Sequence, residues 1–132
     1  MTTDAKQDQH EILLAAHKRA EWLRENFEVI CWGQGEFQHR RDKWRLACEA
    51  RYYHESGVVT ANTARLLDRP IRSSRDSMRS IRAQERLEKD GLIERLRLDG
   101  ARNVNFLRIT PAGTALAKTL LLEDGENDDR DE

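Results

Sequence analysis

Apolar residues recur at intervals of three and four over the first part of the chain. Ile12, Leu13, Ala16, Ala20, Leu23 and Phe27 fall on one stripe and predict a helix ending near Phe27 or Ile30, after a loose polar start at residues 1–9. Gly33 and Gly35 break that pattern and predict a turn. A second helical segment runs from Gln38 to Ser56, carrying Trp44, Ala47, Cys48, Arg51 and Tyr52, and Gly57 stops it. Val58 and Val59 lead to Thr60, a candidate N-cap for a short helix through Leu66 and Leu67 that must end before Pro70. Ser73 and Ser74 offer caps for a longer helix from Arg75 to about Asp90, closed by Gly91.

The period then changes from helical to strand-like. LIERLRL and NVNFLRI flank Asp99-Gly100-Ala101-Arg102, a hairpin signal between runs rich in Val, Ile, Leu and Phe. Thr110-Pro111 is an N-cap followed by proline at the first helical position, and it opens a last helix to about Leu122. The predicted fold is mainly α with a two-stranded β-hairpin wing. A short helix, a turn, a longer helix and a hairpin in that order make a winged helix-turn-helix. At 132 residues this is one domain, over 10–122, between a loose N-terminus, 1–9, and an acidic disordered tail, 123–132.

Charge alters the picture. The formal net charge is only −1, but its distribution is uneven: four Lys and Arg face seven acids up to Glu36, eighteen face ten from Phe37 to Leu122, and one Arg faces seven acids in the tail. A basic body behind an acidic tail suits a polyanionic partner, here double-stranded DNA. Arg75, Arg79, Arg82 and Arg86 stand at i, i+4, i+7 and i+11, which at 100° per residue holds them within about 60° of one another. Guanidinium groups so placed can grip phosphates or pair bidentately with guanine. The competing reading is a solvated face laced by Asp76, Glu85 and Lys89. Arg95 and Arg97 alternate with Leu96 and Leu98 and predict one basic and one apolar strand face, suited to lying on a phosphate backbone. With Arg72 and Ser74 at the helix entrance and Arg102 at the hairpin tip, these residues form the expected DNA-contact set. Arg79 and Arg82, central in the stripe, are expected to matter most.

The stretch Leu87-Glu88-Lys89-Asp90-Gly91-Leu92-Ile93, the eighteen residues after Gly91, and Thr110-Pro111-Ala112-Gly113 together resemble the recognition-helix end and wing of MarR-type winged-helix regulators. PadR-type and other winged-helix families share much of the pattern. The resemblance implies a DNA-binding transcriptional regulator acting as a homodimer. Two features depart from it. Ala101 and Asn103 stand where the family usually has Asp and Arg at the wing tip, and the segment from Leu67 to Leu87 is longer than usual. The dimer is expected on the Ile12 to Phe27 stripe and on Leu116, Leu120 and Leu121 of the last helix.

Other chemistries find less support. His10, His17, His39 and His54 with Cys31 and Cys48 show no metal-ligand spacing, so no metal or cofactor is expected, and each cysteine reads as a small core residue. No nucleophile motif or phosphate loop suggests an enzyme. No apolar run is long enough to span a bilayer, which with the absence of a signal peptide predicts a cytoplasmic protein. The alternative function is a winged-helix protein-protein module of a larger assembly, its basic face set against an acidic partner.

Overall fold

A computed structural model of the chain describes residues 2–32 and 43–130, with side chains over 5–31 and 44–123. Helix α1 spans Thr2–Glu25 and is followed by α2, Phe27–Trp32, and α3, Lys43–Ser56. Strand β1, Val58–Thr60, leads into α4, Thr63–Leu67, and α5, Ser74–Lys89. Strands β2, Ile93–Leu96, and β3, Phe106–Ile109, precede α6, Pro111–Arg130. The chain is mainly helical with a small antiparallel sheet in the order β1-β3-β2.

The α1 stripe is the centre of the molecule. Ile12, Leu13, Ala16 and Leu23 are buried among Ala50, Val59, Leu66, Leu87, Leu107 and Ala117. Their apolar surface is therefore spent within one chain and cannot also form the expected dimer contact. The helix begins at Thr2, earlier than the start the sequence placed after residue 9. Once Ile12 and Leu13 dock, extending the helix N-terminally adds bonds at little further entropic cost. Asp8 and Glu11 then reach Arg79 and Arg69 as ion pairs. At the other end, the Asn26 amide donates to the Trp22 carbonyl at 2.9 Å and marks the break between α1 and α2. The expected glycine turn at 33–35 and the expected start of the second helix at 38–42 lie outside the described residues.

The sheet has a third strand where the sequence predicted only a lead into a helix. Val58, Val59 and Thr60 pair with Arg108, Leu107 and Phe106, and all three are buried. Three residues are too few to show a period, and their partners lie far along the chain. With β1 in the sheet, the cap of α4 shifts to Asn62, whose side chain accepts from the Arg65 amide at 3.1 Å. Asp68, at φ 54°, ends α4 ahead of Pro70.

Glu49 ties four elements together. It is only 2% exposed, yet it accepts from Arg19 Nε and Nη2, each at 2.6 Å, from Arg65 Nη2 at 3.1 Å and from the Thr60 amide at 2.9 Å. A carboxylate this buried persists because its lone pairs are satisfied. The two arginines also join each other, Arg19 Nη1 donating to the Arg65 carbonyl at 3.1 Å.

The hairpin base is clamped to the start of α6. Thr110 caps the helix by accepting from the Gly113 amide at 3.1 Å while its hydroxyl donates to the Gly91 carbonyl at 2.7 Å. Gly113 has to be glycine: a Cβ there would lie 2.0 Å from the Leu92 carbonyl oxygen. Helix α6 continues to Arg130, so the acidic stretch expected to be disordered after Leu122 remains helical through residue 130. Acid content alone does not end a helix already propagating from a strong cap.

Candidate nucleic-acid interface

The orientation of α5 follows from its small, partly polar inner face. Ser80, Ala83, Gln84 and Leu87 are buried at i, i+3, i+4 and i+7. The Ser80 hydroxyl is hydrogen-bonded to that of Thr63, and Gln84 Nε2 donates to the Ala61 carbonyl at 3.1 Å. Those two contacts hold α5 against α4 and the loop before it, across the turn 68–73. Ser73 is the N-cap, accepting from the Asp76 amide at 3.1 Å, and Ser74 is the exposed first residue of the helix.

With that face inward, the arginine stripe faces outward, and its members differ in their partners. Arg75 and Arg82 are exposed and make no hydrogen bond or ion pair among the described residues. Arg86 has a long i, i+4 pair with Asp90 at 3.9 Å. Arg79, nearest α1, is held by Asp8 through three hydrogen bonds of 2.9 to 3.2 Å. Arg72 is exposed, and its backbone amide bonds Asp76 at 3.4 Å.

In the hairpin, Asp99 and Gly100 both have positive φ, 58° and 72°, and the Ala101 amide donates to the Leu98 carbonyl at 3.3 Å. This is the turn that the Asp-Gly pair predicts. The ladder itself stops at Leu96 and Phe106. Beyond it the side chain of Asn105 does the pairing, accepting from the Leu98 amide at 2.9 Å and donating to the Leu98 carbonyl at 3.1 Å. Arg97 Nη1 donates to the Arg102 carbonyl at 3.4 Å, and both arginines sit at the exposed tip.

Arg95 is placed differently from its expected position. It shares a strand face with buried Ile93 and is paired across the ladder with Leu107, so it points to the inner side of the sheet. Its Nε is enclosed without a hydrogen-bond partner, and its backbone amide donates to Glu88 at 3.1 Å. The opposite face is no purely apolar surface either. Glu94 there pairs with Arg108 at 2.7 Å, and Leu96 lies opposite Phe106, whose ring meets Tyr52 at 4.8 Å. Alternation failed as a guide because Arg95 falls on the face of buried Ile93, while the opposite face mixes exposed Glu94 with Leu96 and Phe106.

The structure thus brings Arg75, Arg82 and Arg86 onto one open helix face and Arg97 and Arg102 onto the hairpin tip. It sets Arg79 and Arg95 apart. Among the residues sequence reasoning passed over, Asn105 gave no pattern, whereas Glu49 gave one: it occupies an apolar helix face with Leu46, Ala50 and Tyr53. Cys48 is exposed, contrary to the core position expected of it, and Cys31 is partly buried. His17 is buried against Glu21 at 3.1 Å, and the His54 ring stacks on Phe27. Among the described residues no three His, Cys, Asp or Glu gather as metal ligands, and no helix is long and apolar enough to cross a membrane.

Compared with known proteins, the chain matches no family model, no curated protein and no solved structure.

Proposed function

We propose that this chain is a winged-helix DNA-binding regulator, with α4 and α5 as the helix-turn-helix and the β2–β3 hairpin as the wing. The observation that carries the reading is the open face of α5, where Arg75 and Arg82 stand without partners among the described residues on the side opposite the buried Ser80 and Gln84. A helix fixed by its back and charged on its front is what entry into a major groove requires. Arg97 and Arg102 at the hairpin tip then meet the phosphate backbone, positioning without specifying. The MarR-type resemblance supports the same reading through contact between its quoted segments, Thr110 bonding Gly91 and Gly113 packing on Leu92.

A homodimer on a palindromic site is the form we propose for the complex. Its contact falls to α6, where Leu122 is 70% exposed, because the α1 stripe is core. The reading assigns no catalytic step.

The test is selection of bound sequences from a random duplex pool with the full chain, followed by affinity measurement at several salt concentrations. Enrichment of a palindrome with steeply salt-dependent binding supports the proposal. Absence of duplex binding even at low salt, with a stable acidic protein partner instead, overturns it in favour of a protein-contact module.

A further inference from the structure

The outward face of α5 is not uniformly charged. Among the described residues the exposed large apolar side chains are few, and two of them, Met78 at 44% and Ile81 at 37%, lie three residues apart on this helix. Their position is specific. Met78 and Arg82 stand two residues before and after buried Ser80, so each lies only about 20° from the line directly opposite it. Arg75 and Arg82, at i−3 and i+4, are therefore the helix-surface neighbours of Met78, and both lack a partner among the described residues. Met78 lies outside the buried inner face of α5, which is formed by Ser80, Ala83, Gln84 and Leu87. An unbranched, polarizable side chain held between two free guanidinium groups suits a surface that is anionic at its rim and carries an apolar point within.

The major groove of DNA offers such a surface. Its rim is phosphate, its floor is lined by hydrogen-bonding base edges, and its apolar feature is the 5-methyl group of thymine. Resting on the DNA-binding reading above, we infer that Met78, flanked by Ile81, contacts a thymine methyl and is a specificity-determining residue of the recognition helix. The preferred site then carries a thymine close to the positions read or gripped by Arg75 and Arg82. Glutamine or asparagine would serve adenine there; a thioether serves the methyl.

The experiment compares the selected duplex with copies in which each thymine in turn is replaced by deoxyuridine, a change that removes the methyl and leaves the pairing edge intact. The full chain and its Met78→Ala and Met78→Leu variants are measured on the same set, with circular dichroism confirming that each variant is folded. Loss of one buried methyl contact is worth about three- to fivefold in affinity. The inference expects that loss at one position in each half-site for the parent and for Met78→Leu, and equal binding of both duplexes by Met78→Ala. Equal binding by the parent, or the same discrimination kept by folded Met78→Ala, overturns the inference while leaving the DNA-binding reading intact. No binding to any duplex overturns both.

Discussion

Arg19 on α1 and Arg82 on α5 carry the same side chain in opposite surroundings. Arg19 spends its guanidinium inside the fold, on buried Glu49 and on the Arg65 carbonyl. Arg82 stands in solvent with no partner among the described residues. The division extends through the chain: Arg65, Arg69, Arg79 and Arg108 also join one element to another through carboxylates, whereas Arg75, Arg97 and Arg102 have no carboxylate partner. Composition treats all of them as one basic surplus. Their partners separate them into a group that holds the scaffold together and a group without carboxylate partners, the one proposed above to meet DNA.

The largest expected effect breaks the first group. Glu49→Ala removes the buried carboxylate that Arg19, Arg65 and the Thr60 amide share, and should cost about 3 kcal/mol of unfolding free energy. Urea denaturation followed by circular dichroism measures this, and a change below 1 kcal/mol would place Glu49 with ordinary surface pairs. Next comes the second group. Arg75→Ala or Arg82→Ala should leave the unfolding midpoint unchanged within a few tenths of a kcal/mol, yet cost roughly 1–3 kcal/mol of binding on the selected site. An affinity equal to the parent's at two salt concentrations would remove α5 from the interface and favour the protein-contact reading.

Much of the element order was legible because it rests on local chemistry. The Ser73 cap, the Asp99-Gly100 turn and the Thr110-Pro111 helix start each need only a few adjacent residues, and each stands where the sequence puts it. What was hidden depends on distance along the chain. Strand β1 exists through residues near 107, and Arg79 meets a carboxylate 71 residues away. No periodicity reports such a pairing. The arginine stripe was readable as a stripe, but not which of its members α1 would take. The apolar residues of α5 divide in the same way: Ala83 and Leu87 face the core, and Met78 and Ile81 face out.

Arg79 is the residue on which the comparison is most sharply drawn, since spacing put it with Arg82 and contact puts it with Arg19. Its pair with Asp8 is solvent-exposed, with the Arg79 side chain 55% accessible, so Arg79→Ala should lower stability by at most about 1 kcal/mol. The Asp8→Asn variant should show the same small loss, and the double variant no more than either alone, because the two residues share one interaction. Binding of duplex by Arg79→Ala should fall less than by Arg82→Ala. A larger fall than for Arg82→Ala would mean that Arg79 leaves Asp8 for the nucleic acid, which would move it into the second group.

The smallest effect is expected at the hairpin tip, and it differs in kind. Arg97 and Arg102 are exposed and stand beyond the end of the strand ladder, where the tip is joined by the Asn105 side-chain bonds, the Ala101 amide on the Leu98 carbonyl and one long contact between the two arginines. A cation on such a mount can neutralise a phosphate but has no rigid geometry with which to distinguish bases. Each of Arg97→Ala and Arg102→Ala should therefore weaken binding by a similar factor on selected and unrelated duplexes, and lower the slope of log K against log salt by about one. Arg95→Ala separates from both. With its side chain turned to the inner face of the sheet, it should leave the salt slope unchanged and alter stability instead. If the slope falls for Arg95→Ala as it does for Arg97→Ala, then Arg95 also reaches the backbone, and the hairpin changes its side-chain arrangement when DNA is bound.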